Sequence, residues 1–175
     1  MNSQYIQSVS FFMVLLIIGC NGSSSPDILL SAPEPTIIRY DRPDASILKG
    51  VEVPANKKLF FSSGLVTLPN DTTAPERTLE RYGDTYTQSL GCLTRLKNTL
   101  GEAGLELKDV IYLGVFIAPD ARNDNKIDFD AWFEAYGKKF NNPQNPVKTA
   151  RTTLGVASLA RPYLLVEVEA IAVYP

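Results

Sequence analysis

The chain contains no histidine. That excludes His-based catalytic triads and the usual zinc ligand sets, which rely on imidazole. Cysteine is nearly as scarce, with only Cys20 and Cys92 present. Cys20 falls in an N-terminal apolar segment, so Cys92 stands alone in the remainder and no disulfide can form within it. Net charge is −2, and the only adjacent basic pairs are Lys57-Lys58 and Lys138-Lys139. That is a poor electrostatic footprint for nucleic acid, which is therefore not an expected partner. Neither common spacing of a Gly-rich phosphate loop occurs, and no cofactor is implied. Asp120–Asp130 (DARNDNKIDFD) superficially suggests a calcium loop. Such a loop needs glycine at its sixth position and glutamate at its twelfth, where this chain has Asn125 and Ala131, so no metal is expected.

What is present begins with export. Residues 1–25 carry no charged side chain, and Phe11–Ile18 (FFMVLLII) is apolar throughout. The run is too short for a membrane span, which needs about 20 residues. Ahead of Gly19-Cys20 it reads as a signal peptide over residues 1–19. Ile17-Ile18-Gly19-Cys20 resembles the bacterial lipobox, which implies lipidation at Cys20 and a membrane-anchored protein facing the periplasm or cell exterior. Asn21 does not resemble the inner-membrane retention signal, which leaves the outer membrane open as a destination. The positively charged start typical of signal peptides is missing. Residues 20–36, rich in Ser and Pro, form a tether. Residues 37–175 suffice for one domain with one core.

Within that domain, Ile47–Val53 and Leu59–Leu68 read as strands around a turn-like break. Ser62, Ser63 and Gly64 interrupt the second strand, consistent with a bulge, a close approach to a ligand or an ordinary bend. Glu76–Ala103 carries Leu79, Tyr82, Tyr86, Leu90, Leu93, Leu96 and Leu100 at spacings of three and four, which predicts one long helix stopped at Gly104. Cys92, inside it, reads as a buried thiol. Val110–Ala118 is almost wholly apolar and predicts a central strand. Asp128–Phe140 predicts a second helix, with Asp128 as N-cap and Phe129, Trp132, Phe133, Tyr136 and Phe140 facing inward. The order gives an α+β domain: helices on one face of a mostly antiparallel sheet, and the other face left to find cover, often by oligomerisation.

The last thirty residues hold two more strand-like runs, Ala150–Leu159 and Leu164–Tyr174, around Pro162. Proximity in sequence suggests antiparallel neighbours, a hairpin or something close to one. Three charges interrupt these runs: Arg151, Glu167 and Glu169. A hairpin centred near Leu159 would set Arg151 opposite Glu167. Two readings of this trio stay open. One is an ion pair at a sheet edge, contributing about 0–1 kcal/mol. The other is a small anionic site, with arginine binding a carboxylate and glutamate activating water. Coulomb attraction at 4 Å rises from about 1 kcal/mol in water to about 4 kcal/mol in a partly dry cleft, so the second reading requires neighbours that exclude water.

Phe60-Phe61-Ser62-Ser63-Gly64, Gly101-Glu102-Ala103-Gly104-Leu105 with Lys108-Asp109-Val110, Ala150-Arg151-Thr152, and Val166-Glu167-Val168-Glu169-Ala170-Ile171-Ala172 together resemble the RidA/YjgF family over nearly all of residues 37–175. The resemblance implies a chorismate-mutase-like fold, a homotrimer with sites at subunit interfaces, and hydrolysis of reactive enamines and imines to 2-keto acids and ammonia. It assigns carboxylate binding to Arg151 and orientation of water to Glu167, with Ser63, Gly64 and Thr153 around the substrate. A non-catalytic module of the same fold, binding a small carboxylate or acting as a scaffold, is the alternative. Ribonuclease activity, also attributed to the family, is opposed by the lack of a basic face. The chain departs from the family pattern at Ile47, Leu65 and Thr153, where tyrosine, glutamine and cysteine are common. These changes point to a larger or less polar substrate.

Overall fold

The computed structural model describes residues 35–175. The predicted signal peptide, the lipidation at Cys20 and nearly all of the tether lie outside the described residues. In chain order the elements are β1 (Ile38–Tyr40), β2 (Gly50–Glu52), β3 (Leu59–Phe61), β4 (Leu65–Val66), α1 (Leu79–Tyr82), α2 (Thr85–Glu102), β5 (Val110–Ile117), α3 (Phe129–Gly137), β6 (Ala150–Gly155) and β7 (Val166–Val173). Among the described residues, no helix is long and apolar enough to cross a membrane.

The apolar run predicted as a central strand becomes β5, flanked on both sides. It pairs in parallel with β6 and antiparallel with β7. β7 in turn takes β3 and β4 as antiparallel neighbours, and β1 and β2 form a separate two-stranded sheet. The α+β reading therefore holds, with one parallel pairing in an otherwise antiparallel sheet.

The predicted hairpin does not form. β6 and β7 lie on opposite sides of β5, and residues 156–165 carry the chain across its end. The backbone fixes that crossing by donating from Val156 N to Ile117 O and from Ala118 N to Leu165 O, each at 2.9 Å. An apolar strand central in a sheet, with Tyr112 and Phe116 half-buried on the face away from the helices, needs a hydrogen-bonded neighbour on each edge. The two C-terminal strands supply one apiece.

The single long helix is corrected as well. Gly83, with φ of 85°, breaks it into α1 and α2. Asp84 then caps α2 by accepting from Thr87 N at 2.8 Å. Cys92, Leu93, Leu96 and Leu100 of α2 are fully buried, whereas Tyr86 and Leu90 are only half-buried. Each buried leucine contributes about 1.5–3 kcal/mol. Gly104 ends the helical segment with φ of 72°, the left-handed conformation that favours glycine. Cys92 is the buried thiol expected: it donates to Val166 O, and burial pushes its pKa up to about 12.

α3 starts where predicted, with the Asp128 carboxylate accepting from Ala131 N at 2.9 Å. Trp132, Tyr136 and Phe140 are buried, but Phe129 and Phe133 remain substantially exposed. Leu113, Val115 and Ile117 of β5 and Val166, Val168, Ala170 and Ala172 of β7 join the helices in one core. The opposite sheet face carries Glu167, Glu169 and Ile171 of β7, with the exposed side chains of Phe61 and Leu154 registered beside them.

Candidate functional site

β6 is an edge strand, and its alternation decides where its charge goes. Arg151 and Thr153 are registered with Leu113 and Val115, both core residues, so they share the helix-side face. α3 passes over them. The Arg151 guanidinium carbon sits 4.3 Å from the Tyr136 ring centroid, 5.2 Å from that of Phe133 and 6.0 Å from that of Trp132. Such stacking contributes about 0.5–2 kcal/mol depending on desolvation. Burial lowers the Arg151 pKa from its ordinary value and Tyr136 partly offsets this. A guanidinium nonetheless stays charged.

No carboxylate balances that charge: among the described residues Arg151 forms no ion pair. Its Nη1 is buried without a hydrogen-bond partner, and so are Thr153 Oγ1 and Trp132 Nε1. Leaving a buried polar atom unsatisfied costs about 1–3 kcal/mol. Two such atoms on one strand face and a third on the helix above it suit a ligand that brings acceptors. Tyr136 is held for its part in the shelf, its hydroxyl accepting from Thr149 N at 3.2 Å and lying 3.3 Å from Thr149 Oγ1.

The second group lies at the β4 edge. Between Phe61↔Ile171 and Leu65↔Val168 the β3–β4 segment advances one residue more than β7, which makes Ser62-Ser63-Gly64 a bulge. Ser62 anchors it, donating from its amide to Ala170 O at 2.9 Å and accepting from Ala170 N on its hydroxyl at 2.8 Å. Glu167 of β7 lies against this bulge. A Cβ added at Gly64 would stand 2.8 Å from Glu167 Cδ and 3.2 Å from Cγ, so the glutamate side chain occupies the space that any other residue would fill. Ser63, beside it, is exposed. Glu167 is half-buried and forms no ion pair among the described residues.

A cavity of about 380 Å³ opens here, lined by Gly64, Thr67, Tyr82, Arg95, Arg161, Tyr163 and Glu167 among others. Its far wall is held by Gln88, which is fully buried. Gln88 Nε2 donates to Gly83 O and Tyr163 O, and its Oε1 accepts from Leu165 N. Arg95 and Arg161 escaped the sequence reading because neither interrupts a strand; one is a helix residue and the other sits in the crossing loop.

The structure therefore assembles Arg151 with Thr153, and Glu167 with Ser63 and Gly64, but it does not bring the two sets together. Arg151 is registered through Leu113 to Ala170, three residues from Glu167 and two strands away. Strand spacing and rise place their Cα atoms about 14 Å apart, on opposite faces of the sheet. The cross-strand pairing read from the sequence is thus overturned, and with it the simple ion pair. The departures also resolve. Leu65 is buried in the core and turns away from Glu167, while Ile47 lies half-buried in a bend ahead of β2.

One chain thus holds a cation with unmet donors and, elsewhere on the sheet, a carboxylate without an ion-pair partner among the described residues. The comparisons with known proteins bear on this. The family profile described as endoribonuclease L-PSP matches residues 50–174. Among solved structures, Escherichia coli TdcF with bound serine is similar at 27% identity and a TM-score of 0.52, covering 78% of this chain and 94% of that one. The E. coli YjgF gene product is similar at 26% identity and a TM-score of 0.51, covering 70% and 85%. The Rid-family protein YyfB from Yersinia pestis shares the fold at 20% identity and a TM-score of 0.59, covering 79% and 98%. Among curated proteins there is no match. With the bulge, the arginine strand and the glutamate strand all inside the matched segment, the chain belongs to the RidA/YjgF/L-PSP family.

Proposed function

We propose that the protein hydrolyses small reactive 2-imino and enamino acids to 2-keto acids and ammonia, at sites shared between copies of the chain. The observation that carries this reading is the buried Arg151 Nη1 with no partner, beside Thr153 Oγ1 in the same condition. A planar guanidinium held against Tyr136 presents its fork to a carboxylate, and the α-carboxylate of an imino acid fits that geometry. E. coli TdcF binds serine, a ligand of similar size that carries such a group.

The chemistry then falls to Glu167. A water held by its carboxylate loses a proton to it as the oxygen attacks the imine carbon. Glu167 returns that proton to the carbinolamine nitrogen, ammonia leaves, and the hydroxyl proton passes to it as the carbonyl forms. In net terms R–C(=NH₂⁺)–COO⁻ and water become R–CO–COO⁻ and NH₄⁺. Because one chain keeps Arg151 and Glu167 about 14 Å apart, the arginine of one copy must serve the glutamate of the next. A closed ring of heterologous contacts does this, and a homotrimer is the ring proposed. Exposed Phe61 and Leu154 on the sheet face opposite the helices give that assembly apolar surface to bury. We place the trimer outside the cytoplasm, lipid-anchored through Cys20.

The test generates 2-iminopropionate in situ and follows its loss against the spontaneous rate. Arg151→Lys and Glu167→Gln should each slow hydrolysis about tenfold or more, since a charge-assisted hydrogen bond is worth about 1.5–3 kcal/mol. Wild type that never exceeds the spontaneous rate across several imines would refute the hydrolase. Keto-acid binding that still depends on Arg151 would then favour the non-catalytic carboxylate-binding module.

A further inference from the structure

We infer that Arg95 and Arg161 form a second anion subsite beside Glu167, which makes imino acids with a carboxylate in their side chain the preferred substrates. The inference rests on the hydrolase reading for its chemistry, but the subsite itself can be tested by binding.

Both arginines line the same cavity as Glu167 and Gly64. Among the described residues neither forms an ion pair. Their hydrogen bonds go to neutral oxygens. Arg95 Nη1 donates to Val66 O at 3.0 Å, and Arg161 Nη1 donates to Tyr163 Oη at 3.1 Å. Each guanidinium carries five donors, so each keeps most of its fork free. Two cations against one glutamate leave the cavity with net positive charge, in a chain whose overall charge is −2.

The walls hold both groups in place. Tyr163 is buried and stacks on Tyr82 with ring centroids 4.9 Å apart, and Gln88 ties the Tyr163 carbonyl to the start of α2. Arg95 is steered by β4, whose carbonyl it holds. Arg151, whose unmet donor is assigned to the α-carboxylate, belongs to the opposite edge of the sheet. An α-carboxylate taken there leaves the arginines beside Glu167 to whatever the substrate carries on its far side. A cavity of about 380 Å³ exceeds what a methyl or hydroxymethyl group would fill. A side-chain carboxylate satisfies the charge, the donors and the room. Such a substrate arises when an acidic amino acid passes two electrons and two protons from its α-carbon and nitrogen to an external acceptor such as a flavin, or when a β-hydroxylated acidic amino acid loses water by β-elimination.

The test compares binding of 2-oxoglutarate and 2-oxobutanoate, the dicarboxylic and monocarboxylic product-like probes, by calorimetry on the intact oligomer. Wild type should prefer 2-oxoglutarate by about tenfold or more, as a charge-assisted hydrogen bond allows. Arg95→Gln and Arg161→Gln should each erode that preference, losing affinity for the dicarboxylate disproportionately. Arg161 is exposed in a loop, so its variant tests the idea even if Arg95→Gln disturbs β4. A wild type without preference, or a preference that survives both substitutions, overturns the subsite. So does an equal loss for both probes, which would assign the arginines to the α-carboxylate. If imine hydrolysis is absent while the Arg161-dependent preference persists, the hydrolase reading falls and the subsite stands. Brisk hydrolysis of neutral and acidic imines at equal rates gives the reverse.

Discussion

Replacing Gly64 by alanine separates the placement of Glu167 from the stability of the fold. The added Cβ would lie 2.8 Å from Glu167 Cδ, against the 3.4 Å or more of an ordinary contact. The glutamate must therefore withdraw by at least about 0.6 Å, and its carboxylate oxygens by more. Gly64 does not adopt the positive-φ conformation found at Gly83 and Gly104, so alanine brings no backbone strain. What it meets is the far end of a flexible, half-buried side chain, which can swing aside. The expected stability change is accordingly small, within about 1 kcal/mol. Activity should suffer far more, because displacing a reacting group by about 1 Å costs on the order of a hundredfold. The assay follows in situ 2-iminopropionate with Gly64→Ala beside Glu167→Gln, alongside urea unfolding of both. Wild-type activity in Gly64→Ala would refute the claim that the bulge positions the glutamate. A loss of stability above about 3 kcal/mol would instead show that Gly64 is a packing residue.

Three further outcomes follow from the same geometry. Burial alone would raise the Asp120 pKa, but hydrogen bonds from the Arg122 side chain and amide outweigh it and hold the carboxyl below its usual range. Its folded pKa lies below an unfolded value of about 3.9, so its stabilisation is present above about pH 4 and is lost as pH falls further; Asp120→Asn should cost about 1.5–3 kcal/mol at pH 7 and converge with wild type in acid unfolding curves. Tyr136→Leu removes the ring nearest Arg151 and should weaken keto-acid binding about fivefold, read by calorimetry, while Glu167-side contacts persist. Metabolic labelling with a fatty-acid probe should mark wild type and spare Cys20→Ser, and equal labelling of both would end the lipoprotein proposal.

Legibility from sequence divided along the range of the forces involved. Asp128 and Gly104 announced helix ends because a cap is made by residues within one turn of it. β5 announced itself by being apolar on both faces. The leucine–tyrosine periodicity runs straight through Gly83, where a single positive φ outweighs that pattern. The placing of β6 and β7 was beyond reach for another reason. Both are strand-like around a proline, and nothing local records that β5 inserts between them. Arg151 and Glu167 stand out in the sequence as charges inside strand-like runs, but the hairpin pairs them wrongly, since register across an intervening strand is a tertiary fact. Trp132 reads as core from its spacing and is fully buried, but its unpartnered indole N–H shows only once burial is known.

The separation of Arg151 from Glu167 finally makes assembly itself testable through mixed oligomers. Light scattering on residues 21–175 should first give about three times the monomer mass, as expected for a closed ring of heterologous contacts. Arg151→Lys retains an intact Glu167, and Glu167→Gln retains an intact Arg151. If every site draws one residue from each of two neighbours, random mixing of the two variants restores both native residues at about one site in four. Two nearly inactive proteins, unfolded and refolded together in equal amounts, should then recover about a quarter of wild-type activity. Sites contained within one chain cannot behave this way, since every chain in the mixture carries a defect. Activity that stays at the mean of the two variants, in particles shown by mass to be mixed trimers, would sink the shared site. Arg151 would then act apart from Glu167, its guanidinium stacked on Tyr136 and its Nη1 unpartnered within the chain.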